Sequence, residues 1–192
     1  FDTTWATINN TVTLIFNSSE GLNSPTTLIS LDTLTPTSSI NGMEWNTSKS
    51  IVEGDLEGEI SFNISYLDTA GNDGSPILVS TNGSLVRVDL TNPSISNLLE
   101  GSENADVDYY NQSDSITLYW SQEDNNSGIR DAFIALGSDS NMTDIIDWTM
   151  KNADGLGGWN NLSLSNDGIY FGGAFVRDSA GNHSDTIWGD SI

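Results

Sequence analysis

The chain has 192 residues, and 27 acidic against five basic side chains give it a formal net charge of −22. Such a surface repels nucleic acid phosphates and anionic lipid heads, which excludes both as partners, while it attracts divalent cations and stays hydrated in salt. Cysteine is absent, so disulfides and thiolate metal sites are excluded, and no apolar run approaches the ~20 residues that span a bilayer.

This length suits two domains of about 90 to 100 residues. Strand formers lie in a matrix of Asn, Ser, Thr, Gly and Asp, a composition for many short strands and turns. The opening Phe1-Asp-Thr-Thr-Trp5 lacks the charged and apolar regions of a signal peptide, as expected of a processed chain or of part of a longer one.

In the first module, residues 1–91, Val12, Leu14 and Phe16 alternate inward along a first core strand. A turn at 18–21 leads to a strand at 26–31, then one at 43–52 that carries Trp45. A turn at 54–58 precedes a strand at 60–66, and strands at 77–79 and 85–88 complete the sheet. Asp89-Leu-Thr-Asn-Pro93 is the junction, where proline blocks ladder pairing.

The second module, residues 92–192, starts with a strand-like stretch at 95–99. Ile116, Leu118 and Trp120 repeat the pattern of Val12, Leu14 and Phe16. A loop at 123–128 and a strand at 132–136 follow; residues 142–150 hold room for one helical turn and no more. Residues 164–170 then lead into a strand that ends at Asp178.

One phrase occurs twice, Asp68-Thr-Ala-Gly-Asn72 and Asp178-Ser-Ala-Gly-Asn182. Ile60, Phe62, Ile64 and Tyr66 stand to Asp68 as Tyr170, Gly172, Ala174 and Val176 stand to Asp178. A period of two followed by Asp/Gly/Asn turn chemistry means that one strand-and-turn unit is built twice.

With Trp120 on an early core strand and Leu164…Tyr170 at tyrosine-corner spacing, the second module resembles a fibronectin type III domain. The resemblance implies that the Tyr170 hydroxyl reaches back to upstream backbone. The first module resembles the immunoglobulin-like repeats of very large prokaryotic surface proteins and adhesins. That likeness rests on Thr11-Val-Thr-Leu-Ile-Phe16, on Glu59-Ile-Ser-Phe-Asn-Ile-Ser-Tyr-Leu-Asp68 with its turn, and on the junction. Asn126-Ser-Gly-Ile129 and Asp144-Ile-Ile-Asp-Trp-Thr149 look like companion repeats of such proteins. Together these imply an all-β fold of two tandem Greek-key β-sandwiches, immunoglobulin-like then fibronectin III-like. Residues 1–10 are too short for a full opening strand and its connection, so the first sandwich is expected to lack that strand or receive it from another copy.

Asn-x-Ser/Thr sequons fall at Asn9, Asn17, Asn46, Asn63, Asn82, Asn111, Asn125, Asn141, Asn161 and Asn182. That is twice the roughly five that composition alone would give, and use of them implies an extracellular surface. Hard cations want several oxygen ligands from neighbouring loops. Asp106 and Asp108 share a face at strand spacing, and Asp68, Asp73, Asp89 and Asp124 are the further candidates for calcium. Equally, Asp68 and Asp178 suit capping of their own turns. Trp5, Trp148, Trp159 and Trp188 lie outside the core strands, as a sugar-binding platform or as cover for sheet faces. His183 sits in a turn and no serine lies in a Gly-x-Ser-x-Gly elbow, so no catalytic constellation is indicated.

The expected role is a non-catalytic, structural or adhesive extracellular module of a surface layer, filament or large adhesin. Its partners would be other copies, neighbouring repeats or glycans. The alternative is a carbohydrate-binding or spacer module of a secreted enzyme.

Overall fold

An opening strand is present, contrary to the expectation that residues 1–10 are too short for one. Thr3–Ala6 lies parallel to Leu85–Val88, in a register running from Thr3 against Leu85 to Ala6 against Val88. A parallel partner from the far end of the same unit needs no hairpin connection, so four residues suffice. Thr-Thr-Trp-Ala also carries no alternation by which sequence could reveal it. The computed structural model describes residues 3–39, 41–102 and 105–192, and the chain divides into two units, Phe1–Leu90 and Thr91–Ile192.

The first unit contains β1 (Thr3–Ala6), β2 (Thr11–Asn17), β3 (Leu22–Ile29), β4 (Asp32–Leu34), β5 (Thr37–Ser38), β6 (Glu44–Ser50), β7 (Gly58–Glu59), β8 (Phe62–Asp68) and β9 (Leu85–Val88). They form three small sheets in the orders β1-β9-β7, β2-β6-β5 and β4-β3-β8. Burial alternates strictly along β6, so Trp45, Thr47 and Lys49 point inward. Ile29, Ile51, Ile64 and Val88 supply the apolar interior. Of the expected strand at 77–79, Ile77 alone pairs, exchanging backbone hydrogen bonds of 3.0 and 3.1 Å with Ile64.

The second unit contains β10 (Ser94–Ser102), β11 (Ala105–Asp106), β12 (Ser115–Glu123), β13 (Ile129–Gly137), β14 (Ile146–Lys151), β15 (Leu156–Asn160), β16 (Phe171–Asp178) and β17 (Ile187–Ser191). Two four-stranded sheets, β11-β10-β12-β15 and β14-β13-β16-β17, enclose one core. Leu98, Ile116, Leu118, Trp120, Ile134, Leu136 and Val176 fill it. The helical turn allowed for residues 142–150 does not form. Residues 146–151 are β14, in which Met150 pairs with Phe133 and Thr149 with Ile134. No helix is found among the described residues, so none is long and apolar enough to cross a membrane.

Candidate functional site

The duplicated phrase folds the same way in both units. Asp178 Oδ1 accepts from the amides of Gly181 (2.6 Å) and Asn182 (2.8 Å), and its Oδ2 accepts from Asn182 Nδ2 at 2.8 Å. Asp68 accepts from the Asn72 amide at 2.8 Å and from Asn72 Nδ2 at 2.6 Å. Gly71 and Gly181 both adopt positive φ, 91° and 104°, the backbone the turn requires. The Asn72 side chain, then its amide, holds the Asp68 carboxyl below the usual carboxylate range. Asp68 is therefore engaged by its own turn.

The remaining acidic candidates separate by position. Asp73 is exposed and bridges Leu67 through its backbone. Asp89, buried at the end of the first unit, donates its amide to the Ala6 carbonyl at 3.0 Å. Asp124 caps its loop at the Gly128 amide, and its carboxylate lies within 4.8 Å of that of Asp178. Asp106 belongs to a different cluster, in which single oxygens of Glu100, Asp106 and Asp190 all lie within 4.8 Å of one another. Asp108 is exposed close by and acts on Asp190.

Glu100 and Asp190 do not stand out in the sequence. Asn97 sits at φ 53°, where the pairing of β10 with β12 slips between Ser96 and Leu99. This bulge changes which side chains face in, so that Leu98 and Glu100 are buried while Leu99 is half-buried. Glu100 is 0% exposed, and neither carboxylate oxygen has a hydrogen-bond partner. Burial, then the Asp106 carboxyl beside it and the charge of Asp190, push it up to about 8; the nearby Gly172 amide pulls weakly the other way without reaching hydrogen-bond geometry. Desolvation by its neighbours, followed by the charges of Asp106 and Asp108, also raises the exposed Asp190. Asp106 is held in place by the Glu100 amide, which donates to its Oδ1 at 3.1 Å.

A second feature of this unit is the outer face of β14-β13-β16-β17. Phe133 stacks on Phe175 at 4.7 Å, and Trp148 meets Phe175 edge-on at 5.0 Å. Trp188 lies 5.8 Å from Trp148 with its plane inclined by 61°. The exposed His183 stacks on Phe175 at 5.5 Å. Trp5 and Trp159 are elsewhere: Arg87 lies over the Trp5 ring, and Trp159 packs against the core with Lys151 over it. Of the sequon asparagines, Asn63 and Asn182 are half-buried and the other eight are exposed. Asn182 also donates its side-chain amide to Asp178 and the Thr91 carbonyl. Asn9, Asn141 and Asn161 adopt left-handed φ, a turn role for asparagine that needs no glycan.

No family model and no curated protein matches the chain. Among solved structures, domains A168–A170 of titin match 98% of this chain over 61% of theirs, with 11% identity and a TM-score of 0.58. The fold is that of tandem immunoglobulin-like and fibronectin III-like domains. Fibronectin(III)-like modules of CbhA from Clostridium thermocellum match 96% of this chain and 86% of theirs, at 11% identity and a TM-score of 0.46. The FN1–FN3 domains of chicken CNTN1 match 98% of this chain and 63% of theirs, at 10% identity and 0.45. Within the fibronectin III-like unit, the Tyr170 hydroxyl accepts a hydrogen bond from the Ser165 amide at 2.7 Å. That contact ties the ring to backbone five residues upstream, the tyrosine corner implied by the sequence.

Proposed function

We propose that this chain is a non-catalytic structural and adhesive module of the cell exterior, working as a segment or subunit of a surface layer, filament or large adhesin. The observation that carries this reading is an open seam in the immunoglobulin-like unit. Leu14, Phe16, Ile64 and Tyr66 line a cleft of about 770 Å³, and Leu78 and Val79 stand exposed beside it. Ile77 meets Ile64 in a single isolated bridge that does not continue through Leu78 and Val79, which leaves an apolar sheet edge of the kind that accepts a strand from another copy. A charge of −22 opposes such association at low salt and does so less at high salt. Sedimentation of the chain at rising salt tests this: wild type should self-associate, and Leu78→Asp with Val79→Asp should not. A monomer at high micromolar concentration in salt would discard the reading. Mass spectrometry of protein from its native host, which should find glycan on the eight exposed sequons, checks the extracellular setting.

The aromatic face around Phe175 favours a second reading, a carbohydrate-binding or spacer module of a secreted enzyme. Flat arrays that stack on sugar rings are coplanar, whereas Trp148 and Trp188 meet at 61°. Glycan-array binding that disappears in Trp148→Ala would favour this alternative.

A further inference from the structure

We propose that Glu100, Asp106 and Asp190 form a calcium site at one end of the fibronectin III-like unit, with Asp108 beside it. Glu100 is fully buried, its two oxygens have no hydrogen-bond partner, and it points into a group whose other members, Asp106 and Asp190, are exposed. An unpaired buried carboxylate is costly, so it must hold either a proton or a compensating cation. The protein supplies no such cation here, because all five of its basic side chains are engaged elsewhere. Lys49 pairs with Asp32 and Asp55, and Arg130 and Arg177 pair with Asp131. Lys151 donates to the Gly158 carbonyl, and Arg87 covers Trp5.

The pocket for the Glu100 carboxylate is also built into the backbone. A Cβ on Gly189 would overlap Glu100 Oε1, and one on Gly172 would come within 3.2 Å of it. Two glycines thus leave room for a carboxylate at the end of the core. Three carboxylates, one dry and two open to water, suit a hard cation that takes six to eight oxygens and completes its shell with solvent. Magnesium, which holds its water tightly and demands a strict octahedron, fits this donor set less well. The assignment is independent of the adhesive reading, and either can fail alone.

Calcium added to the chelator-treated full chain, followed by NMR of the Gly172 and Gly189 amides and by calorimetry, tests the site. Both amides should shift saturably. Glu100→Gln should lose that response and weaken binding at least tenfold, and Asp190→Asn, on the exposed edge, should weaken it with the fold retained. Asp167→Asn, an exposed residue outside the cluster, should leave it unchanged. Two results would overturn the proposal: amides unmoved by millimolar calcium, or a folded Glu100→Gln or Asp190→Asn protein that responds as wild type. Either would mean that the cluster holds its charge with protons alone.

Discussion

The carboxylate of Glu100 occupies the space that a Cβ on Gly189 would need. Gly189→Ala must therefore displace a buried side chain or bend β17, and overpacking of this kind costs about 2 kcal/mol. Shortening the intruding group should relieve it. In a double-mutant cycle, Gly189→Ala combined with Glu100→Ala should cost clearly less than the sum of the two single variants. Additive losses in urea unfolding would show that the overlap is avoided some other way.

Glu100 and Asp55, one in each unit, should answer pH in opposite directions. Glu100 has its folded value raised from 4.5 to about 8, so the native state binds more protons than the unfolded state between those values. Its contribution then falls as pH rises through that window. At about 1.4 kcal/mol per unit, the loss amounts to several kcal/mol in chelator. Lys49 lowers Asp55 below the ordinary 3.8, first through its hydrogen bond. That contribution is present above the ordinary value and disappears as pH falls below it. Calorimetry should show the fibronectin III-like transition dropping from pH 5 to 8 and Glu100→Gln flattening the drop. A flat wild-type profile would contradict the burial argument.

Lys49 is the inward cation of β6, 5% exposed, 2.9 Å from Asp55 Oδ1 and paired also with Asp32. Removing Lys49 leaves the partly buried Asp55 beside Asp32 with no cation, at a cost of about 2 kcal/mol, less than for a fully buried pair because water reaches both carboxylates. Lys49→Ala should lower the first unit's stability by that order. Lys49→Met with Asp55→Leu should lose less, since it removes Lys49 and its less exposed partner, refills the space and leaves only the exposed Asp32 to water. A loss below about 0.5 kcal/mol for Lys49→Ala would show that water screens the pair as it does one at the surface.

The duplicated turns share their hydrogen bonds but not their depth. Asp178 is fully buried and Asp68 half-buried. Asp178→Ala leaves the partly buried Gly181 and Asn182 amides without their acceptor and should cost about 2 kcal/mol. Asp68→Ala exposes its amides to solvent and should cost less. Equal melting shifts in the two variants would argue against depth as the deciding variable.

Strand positions were most readable where one face is less exposed than the other and the register unbroken. Val12/Leu14/Phe16 and Ile116/Leu118/Trp120 announce β2 and β12, and the Asp–Gly–Asn turns announce the ends of β8 and β16. Sequence failed where neighbours at long range decide. β1 exists because β9 lies beside it, and residues 146–151 become β14 because β13 pairs with them. Glu100 was invisible for a different reason: with Asn97 bulged, alternation counted from Ile95 assigns it to the wrong face. The candidate site was half legible, since Asp106 and Asp108 are two residues apart in the sequence whereas Asp190 comes from β17.

Because β1 and β9 are the first and last strands of the immunoglobulin-like unit and run parallel, tension along the chain enters at Thr3 and leaves at Val88 in opposite directions. The rungs between them are then loaded together, in shear, and cannot open one at a time as in a zipper. Resistance to pulling is a matter of the unfolding rate, so four short rungs protect this unit far more under load than their share of its equilibrium stability suggests.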